Sequence, residues 1–386
     1  MKKLSYLLPA LAVILALIFI LGSCGKTNNT EDPAKTGELK YELNEDGESY
    51  TVVGIGDVTD KDVVIPEKYN DLPVVAIGEC AFEDTDITSV VIPSGVTAIE
   101  EDAFYGCEKL TSVTLPDTLV SIGEYAFCET GIKDLTLPSS LKTIDASAFE
   151  ASKLETIFIP DSVTEIEDYA FFGCESLREI TVGENNEKYK SVGGDLYTKD
   201  GAVLVQYAIA KTAEILTVPS GVTEIATGAA ACCNALKKVV LPDSLTLIGL
   251  EAFYKCENIE RVDIPANVEK LWLYAFNCCT KLCEITVDEN NEYYKSVDGN
   301  LYTKDGEEMV QYAIGKTAEI FAIPDGVTCI WAGAFEKSEY LKAVILPNGL
   351  ELIEAYVFSD CTALEYVYCD GTEEDFAETS DRKSVV

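Results

Sequence analysis

The sequence predicts a mainly β solenoid of about ten units, each 22 or 23 residues long, with inserted β-hairpins. Two observations carry that expectation. An aromatic mark falls at Phe82, Phe104, Phe127, Phe149 and Phe171, then at Phe253 and Phe276, then at Phe335 and Phe358, with Ala230 in the slot between Phe171 and Phe253. The steps between marks are 22, 23, 22, 22, 59, 23, 23, 59 and 23 residues, so one period survives two equal interruptions. Secondly, the interruptions contain the same insertion: residues 183–219 match residues 288–324 at 26 of 37 positions with a constant offset of 105. A period of this length marks a stacked repeat rather than a closed globule.

Each unit reads V/L-x-x-I-x-x-x-A-F-x-x-C-x-x-L-x-x-V-x-L/I-P, complete in Val96 to Pro116. Two short alternating stretches, one around Val96 and Ile99 and one through Leu110, Val113 and Leu115, flank a compact turn. Alternation of period two buries one face and exposes the other. A unit this small cannot bury its apolar side alone, so successive units must stack as parallel ladders about 4.8 Å apart.

The insertions read as hairpins. Leu196 to Thr198 and Val205 to Tyr207 flank Lys199-Asp200-Gly201, and Leu301 to Thr303 and Val310 to Tyr312 flank Lys304-Asp305-Gly306. Asp-Gly between β-rich runs is a hairpin signal. A further hairpin, Tyr41 to Asn44 and Ser49 to Ile55 around Glu45-Asp46-Gly47, would cover the open edge of the first unit.

The expected organisation is a signal peptide over 1–23, a tether over 24–39, a hairpin cap over 40–71, repeats over 72–182, 215–287 and 320–372, insertions over 183–214 and 288–319, and a truncated tail over 373–386. The last six residues, Asp381 to Val386, resemble a peptide encoded by adapter read-through and are excluded from the fold.

The unit GVTAIEEDAFYGCEKLTSVTLPDTL resembles the BspA-like class of bacterial leucine-rich repeats, and the inserted YKSVDGNLYTKDG segment resembles a hairpin found within such proteins. The resemblance spans about Tyr41 to Thr372. It implies a right-handed leucine-rich repeat solenoid on the bacterial surface, in a family associated with adhesion to host proteins, other microbes or matrix components and carrying no catalytic motif. This sequence departs from the pattern at Ala230, at Ser338 in the cysteine slot, and after Val182 and Val287, where no Pro follows.

Charge and composition narrow the chemistry. The chain of 386 residues has 67 acidic and 29 basic residues, a formal charge of −38, and no histidine. Nucleic acid is therefore not an expected partner, because a phosphate backbone is held by clustered Lys and Arg. Without an imidazole, Ser-His, Cys-His and His-metal chemistry are all removed.

Cys107, Cys174, Cys233, Cys256, Cys279 and Cys361 share one slot of the unit and read as small buried thiols, mostly free. A disulfide between neighbouring units, such as Cys233 with Cys256, lies within reach. Cys232, Cys233, Cys278, Cys279 and Cys283 converge too poorly for tetrahedral zinc. Glu100-Glu101-Asp102 and Glu373-Glu374-Asp375 read as a solvated face rather than as hydrolytic pairs, and Asp288-Glu289-Asn290-Asn291 lacks a regular calcium-loop spacing. No cofactor and no metal are expected.

The N-terminus has Lys2 and Lys3, an apolar run from Leu7 to Leu21, and then Leu21-Gly22-Ser23-Cys24. The last four residues resemble a bacterial lipobox, which makes Cys24 the lipidated first residue of an exported chain anchored to the membrane and facing outward. Ligand contact is expected on outward-facing residues of the strand before each Pro. Most of these are Ser, Thr or charged. Phe158, Val240, Ile345, Tyr366 and Tyr368 are not, and they form the candidate binding set. The expectation is a non-catalytic surface interaction or adhesion protein with a protein ligand. A glycan-binding module and a spacer for a missing C-terminal domain are the alternatives.

Overall fold

The computed structural model describes residues 38–369, and every regular element among them is a β-strand. The chain coils as expected, and two of its walls are parallel ladders. One wall is made of two-residue strands: Ala98–Ile99, Ser121–Ile122, Thr143–Ile144 and Glu165–Ile166 pair in register, each isoleucine stacked on the next. The other is made of the strands that precede each Pro, or an insertion, such as Ser89–Val91 against Ser112–Thr114 and Thr156–Ile159 against Glu179–Val182.

The third wall is the Ala-Phe-Cys turn, and its hydrogen bonding was not legible in the sequence. In every unit the residues two before and two after the aromatic mark are left-handed: Asp102 and Gly106 at φ 54° and 68°, Tyr125 and Glu129 at 52° and 56°, Glu251 and Lys255 at 55° each. A non-glycine residue there costs about 1–2 kcal/mol. The cost is offset because alternate N–H groups now point along the solenoid axis. Asp102, Phe104 and Gly106 donate to the carbonyls of Glu124, Ala126 and Cys128 in the next unit, at 2.9, 2.9 and 3.0 Å. The intervening N–H groups close the turn locally, Ala103 to Glu100 and Tyr105 to Asp102.

Inside this wall the aromatic marks form a column. Phe82, Phe104, Phe127, Phe149 and Phe171 are fully buried, with successive ring centroids 5.1, 5.2, 5.6 and 5.7 Å apart and ring planes within 6° of parallel. The cysteine slot serves the same column. Cys107 Sγ donates to Phe82 O, Cys174 Sγ to Phe149 O, Cys256 Sγ to Ala230 O and Cys361 Sγ to Phe335 O, each at 3.0 Å. A thiol is small enough for the turn and caps the carbonyl of the unit before it. No disulfide joins any of the cysteines among the described residues.

Each insertion is a three-stranded antiparallel meander, one strand more than the sequence signal suggested. Tyr189–Val192 pairs with Asp195–Thr198, which pairs with Val203–Gln206. The third strand then rejoins the two-residue ladder in parallel, Leu204 opposite Ile225. Tyr207 and Tyr312 take the aromatic slot of the inserted layer: Tyr207 N donates to Ala229 O, as Phe104 N does to Ala126 O and Phe253 N to Ala275 O, and the Tyr312 ring stacks on Phe335 at 4.9 Å. The middle strand is buried on both faces, with Leu196 in the apolar cluster before it and Tyr197 in the cluster after it.

The departure from Pro at the insertions has a clear cause. Asn186 and Asn291 are completely buried. Asn186 Nδ2 donates to Pro160 O and Val163 O at 2.8 and 3.0 Å, while its Oδ1 accepts from the N–H groups of Lys188 and Tyr189 at 2.8 and 2.7 Å. Asn291 repeats the pattern on Pro265, Val268, Tyr293 and Tyr294. One amide thus ties the entry of the meander to the preceding unit, and the run Asp288 to Asn291 is structural. At the front, Lys40–Leu43 and Tyr50–Gly54 form the expected hairpin, and the latter pairs with Leu72–Ile77 to cover the first edge.

Replacing Asn186 by Leu strands two carbonyls and two N–H groups in the interior, at about 1–3 kcal/mol for each that finds no water. Denaturant unfolding should rank wild type above Asn186→Asp, which keeps the acceptor, and Asn186→Asp above Asn186→Leu. The loss for Leu should be at least about 3 kcal/mol.

Candidate functional site

The outward strand face holds the candidate set, but the structure divides it. Phe158 is 52% exposed in a two-stranded sheet with Glu179–Val182, and Val240 is 39% exposed in a separate four-stranded sheet. Ile345, Tyr366 and Tyr368 come together in the three-stranded sheet formed by Ile320–Ala322, Ala343–Leu346 and Tyr366–Cys369. Register places Ile320, Ala343 and Tyr366 in one row and Ala322, Ile345 and Tyr368 in the next. All six point to the same face, since alternate residues of a strand share a side. Tyr366 and Tyr368 are 53% and 50% exposed, whereas Ile345 is half-buried between its neighbours. The two tyrosine rings are stacked, with centroids 5.7 Å apart and planes 16° from parallel.

Ile320, 64% exposed, and the exposed Ala322 complete this apolar face and were missed by sequence reasoning. Their strand follows an insertion rather than an Ala-Phe-Cys turn, so it fell outside the series of units; the signal was present in the matched strand Ile215–Thr217 of the first copy, where Ile215 is 55% exposed. The face ends at a row of charges in which Lys342 pairs with Glu319 at 2.7 Å, Glu365 lying one strand further. Comparable rows are Lys133, Glu155 and Arg178, at 3.9 and 2.7 Å, and Glu214 with Lys237, at 2.7 Å. Alternating sign avoids like charges stacked in register and, being exposed, adds little else.

The turn wall is a second varied surface. Tyr105, Tyr125, Tyr169, Phe172, Tyr254 and Tyr274 are half-buried along it, and acids lie among them. The insertions sharpen it. The inserted layer has no wide turn, so the turns on either side meet directly: Asn277 Nδ2 donates to Gly333 O at 3.0 Å, and Tyr169 and Phe172 lie against Gly228 so closely that a Cβ there would sit 2.9 Å from each ring. Carboxyls crowd accordingly. Burial first, then Glu150 and Glu336, push the Glu251 carboxyl up to about 7, against the opposing pull of Lys255. Burial, then Glu101, Glu83, Glu124 and Glu79, hold Asp102 at about 6.

Burial raises the Cys107, Cys128 and Cys174 thiols, which keeps them protonated and unreactive. Among the described residues no group of three or more Cys, Asp or Glu side chains is placed to hold a metal ion, and no helix is long and apolar enough to cross a membrane. A cleft of about 330 Å³ beside the second insertion is lined by Tyr302, Asp305, Glu307, Pro324 and Asp325. Its Asp305 is already engaged by the Thr303 hydroxyl and the Glu307 N–H. Cys24 lies outside the described residues.

This arrangement of stacked units with inserted meanders defines a bacterial-type leucine-rich repeat solenoid. The sequence matches the BspA type leucine-rich repeat region in six copies, over residues 75–192, 207–297 and 312–380, and the chain belongs to that family. No curated protein matched it. In fold it is similar to a leucine-rich cell surface protein from Faecalibacterium prausnitzii, with 24% identity, a TM-score of 0.51, and coverage of 92% of this chain and 99% of that one. A leucine-rich repeat protein from Eubacterium ventriosum gives 24% identity, a TM-score of 0.59, and coverage of 89% and 94%. The pneumococcal vaccine antigen PcpA gives 20% identity, a TM-score of 0.50, and coverage of 88% and 100%.

The crowded turn carboxyls set a pH dependence. A carboxyl whose folded pKa is raised binds its proton more tightly when folded, so its stabilising contribution is complete below the unfolded value and is lost as pH climbs through the folded one. For Glu251 that window runs from 4.5 to about 7. Thermal melting should show Tm falling between about pH 5 and about pH 8, and Glu251→Gln should flatten part of that fall.

Proposed function

We propose that the chain is a lipid-anchored surface repeat protein that presents a non-catalytic contact face to a protein ligand of host, microbial or matrix origin. The observation that carries this reading is the continuous apolar face of Ile320, Ala322, Ile345, Tyr366 and Tyr368. It lies on a chain whose other outward strand positions are largely Ser, Thr or charged. Contiguous exposed apolar surface that includes tyrosines is what a partner's hot spots use. The fold relatives described as a cell surface protein and as a vaccine antigen support surface display.

The half-exposed, stacked Tyr366 and Tyr368 rings also favour a second reading, in which a sugar ring packs against the outer face of one of them. Surface plasmon resonance against defined matrix and host proteins, run beside a glycan array, separates the two. The first reading expects a protein ligand whose affinity drops at least about tenfold in Tyr366→Ser/Tyr368→Ser with melting unchanged. Binding to glycans alone, or protein binding indifferent to that double variant, would overturn it.

The anchor is tested separately. Cys24→Ala should abolish metabolic incorporation of a labelled fatty acid and move the protein from the membrane to the soluble fraction, because acyl burial supplies the attachment.

A further inference from the structure

We propose that the second insertion closes on itself covalently: Lys316 Nζ displaces the side-chain nitrogen of Asn300, forming an isopeptide bond between the two residues and releasing ammonia. This is a modification of the chain by its own side chains, and it rests on no ligand.

The pair spans the inserted meander. Asn300 opens the buried middle strand, Asn300–Thr303, and Lys316 follows the third strand, Glu308–Gln311. Asn300 is completely buried. Its Oδ1 accepts from the Ala313 N–H at 3.0 Å and from Lys316 Nζ at 2.9 Å. Lys316 Nζ also donates to Asp298 O, which holds it in place. The amine therefore sits one bond from Cγ, the carbon it attacks, and the Ala313 N–H lies where negative charge gathers on Oδ1 during attack.

The other half of the amide is idle. Asn300 Nδ2 is buried without a hydrogen-bond partner. Asn186 and Asn291, the structural amides of this fold, each use that nitrogen twice. An unpaired buried nitrogen is costly to keep, and its departure removes the cost. Burial also pushes the Lys316 ammonium down, against the pull of Asp298, Cys283 and Glu284, which favours the neutral amine that attacks.

Glu284 carries the proton. Gly299 keeps the space between it and the amine clear, since a Cβ there would lie 3.4 Å from Glu284 Cγ and 3.6 Å from Lys316 Nζ. Arg261 holds Glu284 Oε2 at 2.6 Å. The neutral amine adds to Cγ and a C–N bond forms. One proton then passes from Nζ through the Glu284 carboxylate to Nδ2, and the Cγ–Nδ2 bond breaks as ammonia leaves. No oxidant or co-reactant is consumed.

The first insertion builds the same cradle with Asp195 in place of Asn300. Asp195 Oδ1 accepts from the Ala208 N–H at 2.9 Å and pairs with Lys211 at 2.5 Å. An ionised carboxylate has no leaving group, so that copy is an ion pair. One duplicated scaffold thus holds a salt bridge in its first copy and the reactive pair in its second.

The test is tandem mass spectrometry of tryptic peptides from the full chain, unfolded before digestion. Cleavage after Lys295 and Lys304 frees residues 296–304, which contain Asn300. The bond predicts that this peptide is found joined to residues 305–337, uncut at Lys316, and that the branched product is lighter than the two peptides together by one ammonia. Lys316→Arg, which keeps the positive charge, should give separate peptides. Glu284→Gln should slow the appearance of the branched peptide at least about a hundredfold. Separate peptides from the wild type would overturn the proposal. So would an ammonia loss confined to Asn348-Gly349, where an Asn-Gly step can close to a succinimide, with 296–304 unbranched. Equal rates in Glu284→Gln and wild type would overturn the role given to Glu284.

Discussion

The structure depends on one constraint: each Ala-Phe-Cys turn must present its N–H groups to the next layer at the same spacing as the two flanking ladders. A turn of ordinary right-handed residues directs its hydrogen bonds inward and cannot stack. Left-handed residues on either side of the phenylalanine convert the turn into a third ladder. The parallel phenylalanine rings, 5.1 to 5.7 Å apart, then fill the space that this ladder encloses. Truncating one such ring would cost about 3–5 kcal/mol, and the stacked contact adds about 0.5–1.5 kcal/mol beyond burial. The backbone strain of ten turns is thus distributed against a column of contacts that no isolated unit could make.

The insertions obey the same constraint and relax it in one wall only. Their third strands continue the two-residue ladder, and Tyr207 and Tyr312 keep the aromatic slot, so the core passes through them. The wide turn is what they omit. The neighbouring turns close over the gap, which is why Gly228 and Gly333 occupy a slot that in the other units holds a residue with a side chain: a neighbouring tyrosine ring occupies the space of a side chain. A device that preserves the core therefore reshapes the surface, gathering glutamates and tyrosines from distant units.

Repetition made the fold legible. The spacing of Phe82 to Phe358 and the duplicated 183–219 segment were enough to place the ladders and the insertions, while Asp-Gly turns at Asp46, Asp200 and Asp305 marked the hairpins. The left-handed positions were not legible, because nothing about Tyr125, Glu251 or Lys255 as residue types signals that conformation; it is imposed by the layers above and below. The first strand of each meander and the role of Asn186 and Asn291 were missed for a related reason. A polar Asp-Glu-Asn-Asn run has the composition of a surface loop, and only tertiary contact shows one asparagine buried with four partners. Of the candidate residues, Tyr366 and Tyr368 were found together, while Phe158 and Val240 were grouped with them by facing direction although they lie in other sheets.

In a repeat array, positions that stack are constrained by their neighbours and cannot vary to suit a ligand. Specificity is left to positions that face outward. There are two such sets in this chain, and they differ physically. On the strand face, charges alternate in sign and neutralise one another row by row, so the patch of Ile320, Ile345, Tyr366 and Tyr368 can discriminate only by shape and apolar contact. On the turn wall, half-burial weakens screening and the like-charged carboxyls stay close because the fold holds them there. That wall keeps a cluster of like charges that Lys255 offsets only in part, with Glu150 and Glu336 both acting on the half-buried Glu251. Lowering this repulsion, as protonation does, would stabilise the wall, so surface charge and fold stability are coupled at the same carboxyls.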